Sequence, residues 1–343
     1  MTTESLTTPS YDELVAAAEE TGLYKRTLWR YGFLAVLLVC GYGASLYFLT
    51  VSDSIPLQAL NAIFFGFLTV QWGALGHDLS HKQIFASDRL NAIFGTIAWG
   101  LFAGLSQEKW YEWHNAHHKH PNRVGDDPDI DIPFCFSEKQ RSSRTNFLDR
   151  LFRSHQHIIF FIVLPAVYPS YLRASFDHIF SRMDMTRVSE LLLVAVHFFL
   201  IFFILFSSLP VAVVMLFLGI AIATTGIYMG LIFAPNHKGQ DILSAEDPFL
   251  WTHQITLSRN LGPSRLVTYL FGGLNFQIEH HVFTRVSRFK FRQARDVVKA
   301  YCVAHGIPHE EKTVFGSMRE IYGALKREAS AQPLSQPFSQ RVS

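Results

Sequence analysis

The sequence predicts an all-α integral membrane protein: four transmembrane helices, accompanying interfacial helices and a cytoplasmic helical cap. Three observations point there. Of the 343 residues, 49% are hydrophobic and only 17% charged, against about 25% charged in an ordinary soluble domain, and mean hydropathy is positive at +0.16. Four stretches are long and apolar enough to cross a bilayer as a helix, which takes about 20 residues. The short links on one side of those spans contain no Lys or Arg, while basic residues collect on the other side.

Residues 1–27 are polar and acidic, without the early apolar run of a signal peptide, which places the N-terminus in the cytoplasm. Leu28–Leu49 and Leu57–Gly76 are the first pair of spans; Val188–Phe206 and Val211–Ala234 are the second, joined by Ser207–Pro210. Leu90–Leu105 and Ile158–Tyr171 are shorter or broken by Gly or Pro and read as interfacial helices. Were both to cross, Lys139, Arg141, Arg144, Arg150 and Arg153 would lie outside, against the positive-inside rule. Residues 285–343 read as the helical cap, with Ala331–Ser343 disordered. The chain thus divides into a cytoplasmic N-terminus (1–27), a membrane domain (28–300) and a cytoplasmic C-terminal helix and tail (301–343).

A net charge of +2 with no basic stripe excludes a nucleic-acid partner. Cys40, Cys135 and Cys302 are far apart, which argues against disulfides and thiolate metal sites. Histidine is the outlier, with 16 residues unevenly spread.

Three clusters concentrate them: HDLSH at 77–81, HNAHH at 114–118 and QIEHH at 277–281. Their spacings, i,i+4 and then i,i+3,i+4 twice, put the donors of each cluster on one helical face. His77 and His81 end the second span, His114, His117 and His118 lie between spans, and His280 and His281 follow the last. The parity of four spans brings all three clusters to the cytoplasmic side. A solitary histidine is usually just a hydrogen-bonded ring, and His120, His155, His157, His178, His305 and His309 are read so. His197, inside the third span, reads as a neutral ring bonded to a neighbouring helix.

Imidazole suits Zn, Fe, Cu and Ni. One tetrahedral zinc takes three or four protein ligands, too few for seven histidines, and HExxH is absent because Asp78 follows His77. A histidine-rich di-metal site fits the count, and two oxygen-activating irons suit a thiolate-free site beside lipid. Spacing does not identify the metal.

GHDLSHKQIF, WHNAHHKHPN and GGLNFQIEHHVF resemble, in order and separation, the three histidine boxes of the membrane fatty acid desaturases, over roughly residues 55–300. Glutamine opening the third box resembles the front-end subgroup, which desaturates between an existing double bond and the carboxyl end. The resemblance implies four spans, a cytoplasmic di-iron centre, and His77, His81, His114, His117, His118, His280 and His281 as iron ligands. It makes His237, in APNHKG, an eighth ligand with Asn236 beside it, and puts Gln277 at the position of a ninth. It further implies a fatty acyl lipid or acyl-CoA substrate, O2 and two electrons. Residues 1–27 are too few for the haem domain fused to many front-end enzymes, so a separate ferredoxin or flavin reductase is expected to deliver the electrons. Thr284 stands where the subgroup usually has proline.

Around the centre, Asp78 and Glu279 are candidates to orient ligand rings, and Trp110 and Trp113 to line the acyl channel or form an interfacial belt. The acidic run GDDPDID (Gly125–Asp131) reads as a solvated turn, open to a basic electron donor or a polar head group. Alternatives are a di-iron lipid hydroxylase on the same scaffold, a membrane zinc hydrolase, and a transporter, which would need more ionisable residues within the spans.

Overall fold

A computed structural model describes residues 9–141, 147–182 and 184–331. Among them there is no strand, only isolated bridges. Four helices are long and apolar enough to cross a membrane: Leu28–Val51, Ile55–Ser80, Met185–Ser208 and Val211–His237. Their outward faces carry Phe33, Phe199, Phe203 and Met215, each more than 60% exposed, tolerable only where lipid replaces water. The second span is the central one: 72% of its apolar window is buried, against 22% for the first and third.

Each span begins where the sequence allows. Pro56 opens the second in its first turn, where its missing N–H is unneeded. Asp184 caps the third, accepting from Arg187 N at 3.1 Å. The second and fourth spans approach closely at Gly66, where a Cβ would stand 2.8 Å from the Ala221 carbonyl.

The two weaker apolar stretches take different forms. Asp88–Thr96 continues into a π-helical turn, Ile97–Phe102, whose Phe102 stacks on Trp72 with ring centroids 3.7 Å apart. Gln156–Ile162 and Leu164–Ser181 meet at a 52° bend. That bend rests on the fourth span: a Cβ at Gly226 would collide with the Pro165 carbonyl.

The segment before the first span is structured as well as polar. Tyr11–Glu20 is a helix that buries Leu14 and Ala18 against the cap helix Phe291–His305. Ser10 N donates to Tyr301 Oη at 2.7 Å, and Tyr11 Oη to the Val282 carbonyl at 2.9 Å. Val314–Ser330 completes the cap. The expected disordered tail, from residue 332 onward, lies outside the described residues.

Candidate metal centre

The first box occupies the last turn of the second span and its C-cap, His81. The second box rides on Gln107–Lys119, capped by Ser106, whose Oγ accepts from Lys109 N at 3.1 Å. Glu190 of the third span pins that helix start, accepting from Ser106 Oγ (2.5 Å) and Glu108 N (2.8 Å). The third box forms the buried turn Gln277–Val282. It follows Gly272 and Gly273, both at positive φ, where a side chain would strike Ala74 or Arg288.

Eight histidines converge in two groups, each with ring nitrogens within 4.8 Å of one another: His77, His81, His114, His118 and His280; and His117, His237 and His281. The lone histidines set aside from the boxes lie elsewhere. His178 reaches Glu108 at 3.1 Å, His305 stacks on Tyr301, and His120 faces Asp126 at 3.6 Å. His197 bonds the Leu101 carbonyl at 2.9 Å.

The outer hydrogen bonds set several of the tautomers, and the ring nitrogens they leave turned inward suit a cation. His117 Nδ1 donates to Asp127 Oδ2 (2.9 Å) and His237 Nδ1 to the Leu257 carbonyl (3.1 Å). With both rings neutral, their Nε2 atoms, 3.3 Å apart, present lone pairs to each other. His281 Nδ1 faces Gln254 Oε1 at 2.9 Å, leaving its buried Nε2 without a partner. In the larger group His77 Nδ1 donates to Asp78 (3.1 Å), so its Nε2 lone pair faces His280 Nε2 at 3.1 Å. His114 Nε2 lies 2.9 Å from both His81 Nε2 and His118 Nε2, and one nitrogen cannot satisfy both with a single proton or lone pair. Buried polar groups left unpaired are costly. A cation in each group resolves the repulsion, so the donor set fits two metal ions.

Burial first, and then the neighbouring rings, hold His81, His114, His118, His280 and His281 well below the ordinary imidazole value of 6.5. They are neutral donors at physiological pH, as ligation requires. His117 goes the other way, because Asp127 and Asp129 outweigh its burial.

Gln277 reaches the smaller group, its Nε2 2.9 Å from His237 Nε2, while its Oε1 accepts from Asn236 Nδ2 at 3.2 Å. As placed it presents a donor to His237; turning the amide would present oxygen. Asp78 is held by Tyr31 Oη (2.8 Å) and by a short bond from the buried Arg288. Trp110 stacks on His114 at 4.3 Å and on Trp99 at 4.7 Å, walling the larger group from inside the fold. Trp113 lines a cleft of about 430 Å³ that reaches His237.

Two expectations change. The acidic run is not a solvated turn throughout: Asp127 is 1% exposed, turned in by bonds from Asn122 N (2.7 Å) and His117. Burial opposes its ionisation, but His117 and then Lys238 hold its carboxyl below the usual range. Glu279 orients no box histidine. It accepts from Asn260 Nδ2 (2.8 Å) and pairs with His309 Nε2 (3.0 Å), because its side chain leaves the turn away from the rings of His280 and His281. His309, read from the sequence as a hydrogen-bonded ring, finds its partner in the third box. Gln254 and Arg288 carry no signal at helical spacing; Asp127, ten residues after His117, could have been found only as a nearby carboxylate.

A narrow apolar slot opens onto His77 between the second and fourth spans, walled by Val70, Ala74, Trp99, Met229 and Leu274. Fold and site together define a helical membrane protein built around a buried cluster of histidines able to hold metal. The model of the fatty acid desaturase family matches residues 54–313, and the chain belongs to that family. It is 27% identical to fatty acid desaturase 3 of Bos taurus over 79% of this chain and 61% of that protein. It is 26% identical to acyl-lipid (9-3)-desaturase of Physcomitrium patens over 90% and 60%. With the Delta(5) fatty acid desaturase fat-4 of Caenorhabditis elegans it shares 27% over 73% and 59%. The chain spans about three fifths of the length of these relatives. All three are named desaturases.

Proposed function

We propose that the protein is an oxygen-dependent fatty acyl desaturase of front-end regiochemistry, acting on an acyl-CoA or acyl-lipid. Two iron ions would be held by the five- and three-histidine groups, with Gln277 beside the second. The observation that carries this reading is the pair of histidine groups, with lone pairs turned inward, directly beside an apolar slot. The net reaction removes one hydrogen from each of two adjacent methylenes and, with O2, two electrons and two protons, yields a double bond and two waters. Bound iron supplies the oxygen activation and oxidising power that unactivated C–H bonds require.

The chain's own residues supply placement. Val70, Met229 and Leu274 line the slot beside His77 and would keep water from an acyl chain entering there. Asp78, braced by Arg288 and Tyr31, fixes the His77 ring, and Asp127 fixes His117. Electrons would come from a ferredoxin or flavin reductase. The positive-inside bias supports cytoplasmic termini and a cytoplasmic centre.

The test is expression of the full chain in a host lacking polyunsaturated lipids, with several acyl chains fed and double-bond positions read by mass spectrometry. New unsaturation on the carboxyl side of an existing double bond is expected. Iron-loaded protein with a working reductase that makes no new double bond would overturn the reading.

A further inference from the structure

A second cleft, of about 440 Å³, lies beside the start of the first span and gathers four arginines: Arg30, Arg265, Arg288 and Arg292. Among the described residues, no Asp or Glu lines it. Arg288, at its buried end, is neutralised by Asp78. Among the described residues, the other three guanidiniums have no carboxylate partner. Arg30 lies over the rings of Trp29 and Phe289, at 5.3 and 5.8 Å. Arg292 donates only to the Pro263 carbonyl, and Arg265, among the described residues, makes no side-chain hydrogen bond or ion pair.

The depth of the cleft is marked by its neighbours. Trp29 is 72% exposed, Leu266 66% and Tyr269 51%, the mixture of aromatic and aliphatic surface found at a membrane–water boundary. A positive-inside bias accounts for basic residues at that depth. It does not account for guanidiniums from three separate segments (Arg30, Arg265, and Arg288 with Arg292) converging on one concavity with no acid among its lining residues. Like charges so arranged repel one another until an anion enters. Arginine's planar fork matches a phosphate with two parallel bonds, and Thr268 adds a hydroxyl.

We infer that this cleft binds the phosphate of a phosphate-bearing lipid, either a phospholipid head group or the diphosphate of an acyl-CoA. Its buried end touches the metal centre through one ion pair, since Arg288 holds Asp78 and Asp78 holds His77. That the lipid bound there carries the acyl chain to be desaturated rests on the proposed function; phosphate binding does not.

The full-length protein, in neutral detergent, is titrated with dioctanoyl phosphatidylglycerol, oleoyl-CoA and dioctanoylglycerol, with Kd read by thermophoresis and stoichiometry by native mass spectrometry. At least one phosphate-bearing probe binds, and the phosphate-free glycerolipid binds about tenfold more weakly or worse, as loss of charge-assisted bonds predicts. The double variant Arg265→Gln/Arg292→Gln weakens that probe by about tenfold or more, and Arg265→Lys/Arg292→Lys recovers part of the loss. Both side chains are exposed, so an unchanged thermal midpoint certifies the fold. The probe that loses affinity identifies the source of the phosphate. Binding of neither phosphate probe, equal affinity for dioctanoylglycerol, or an unchanged Kd for both phosphate probes in the glutamine variant overturns the inference. Because binding is read without turnover, an active desaturase with an indifferent cleft sinks only the cleft. A phosphate-binding protein that never desaturates sinks only the reaction.

Discussion

At the scale of the residue, the metal centre is controlled by atoms one bond behind the histidines. Asp127, Asp78, Gln254 and the Leu257 carbonyl each take up an Nδ1–H and so aim an Nε2 lone pair inward. Asp127→Ala removes that restraint from His117 and opens a void under it. Metal affinity of the three-histidine group should fall by about 10–100-fold, seen as iron stoichiometry dropping from two towards one per chain. Two irons retained at low micromolar metal would refute the role. His280→Ala deletes a donor from the larger group, and both iron content and double-bond formation should be lost; unaltered activity would contradict its assignment.

Among the elements, the box-two helix is the one whose placement depends most on a remote side chain. Glu190, buried on the third span, accepts two hydrogen bonds at the start of that helix. Glu190→Ala leaves the Ser106 hydroxyl proton and the Glu108 N–H without an acceptor, a loss of about 1–3 kcal/mol. It should lower the thermal midpoint and loosen iron bound through His114 and His118, whereas exposed Glu246→Ala should do neither. Gly226 tests the bent helix pair. With Cβ room closed by the carbonyl and carbon atoms of Pro165, which are backbone and cannot rotate away, Gly226→Ala should cost about 1–3 kcal/mol by overpacking. A thermal midpoint equal to that of the parent would show that the bend can withdraw from the fourth span.

For the molecule as a whole, the collected histidines make stability depend on pH once metal is removed. His81, His114, His118, His280 and His281 are held below 6.5 when folded, so an unfolded chain binds protons that the folded chain refuses. Their contribution is intact above 6.5 and is lost as pH falls below it; the raised His117 offsets part of the loss. Chelator-treated protein should therefore unfold at progressively lower temperature from pH 7 to pH 5. Adding Fe(II) at pH 7 should raise the midpoint, because an ion that binds only the folded state stabilises it by mass action. A midpoint indifferent to both pH and iron would remove the case for a metal-organised core.

The sequence by itself determined the membrane architecture and the concentration of donors. Four apolar runs of about 20 residues suit membrane-spanning helices, which satisfy their own backbone in lipid, and helical periodicity puts the histidines of each box on one face. Local pattern could not reach further. Which histidines share an ion was decided by the tertiary structure, which splits the second box between the two groups and brings His237 from the fourth span to His117 and His281. The supports Asp127, Arg288 and Gln254 belong to segments with no periodic signal, and Glu279 turned to His309 rather than to a box ring. A hydrogen bond across the fold depends on where two backbones end up relative to each other, and that is settled by packing among the spans, the bent pair and the cap. The same packing decides that Arg30, Arg265, Arg288 and Arg292, scattered along the chain, come to face a single cleft.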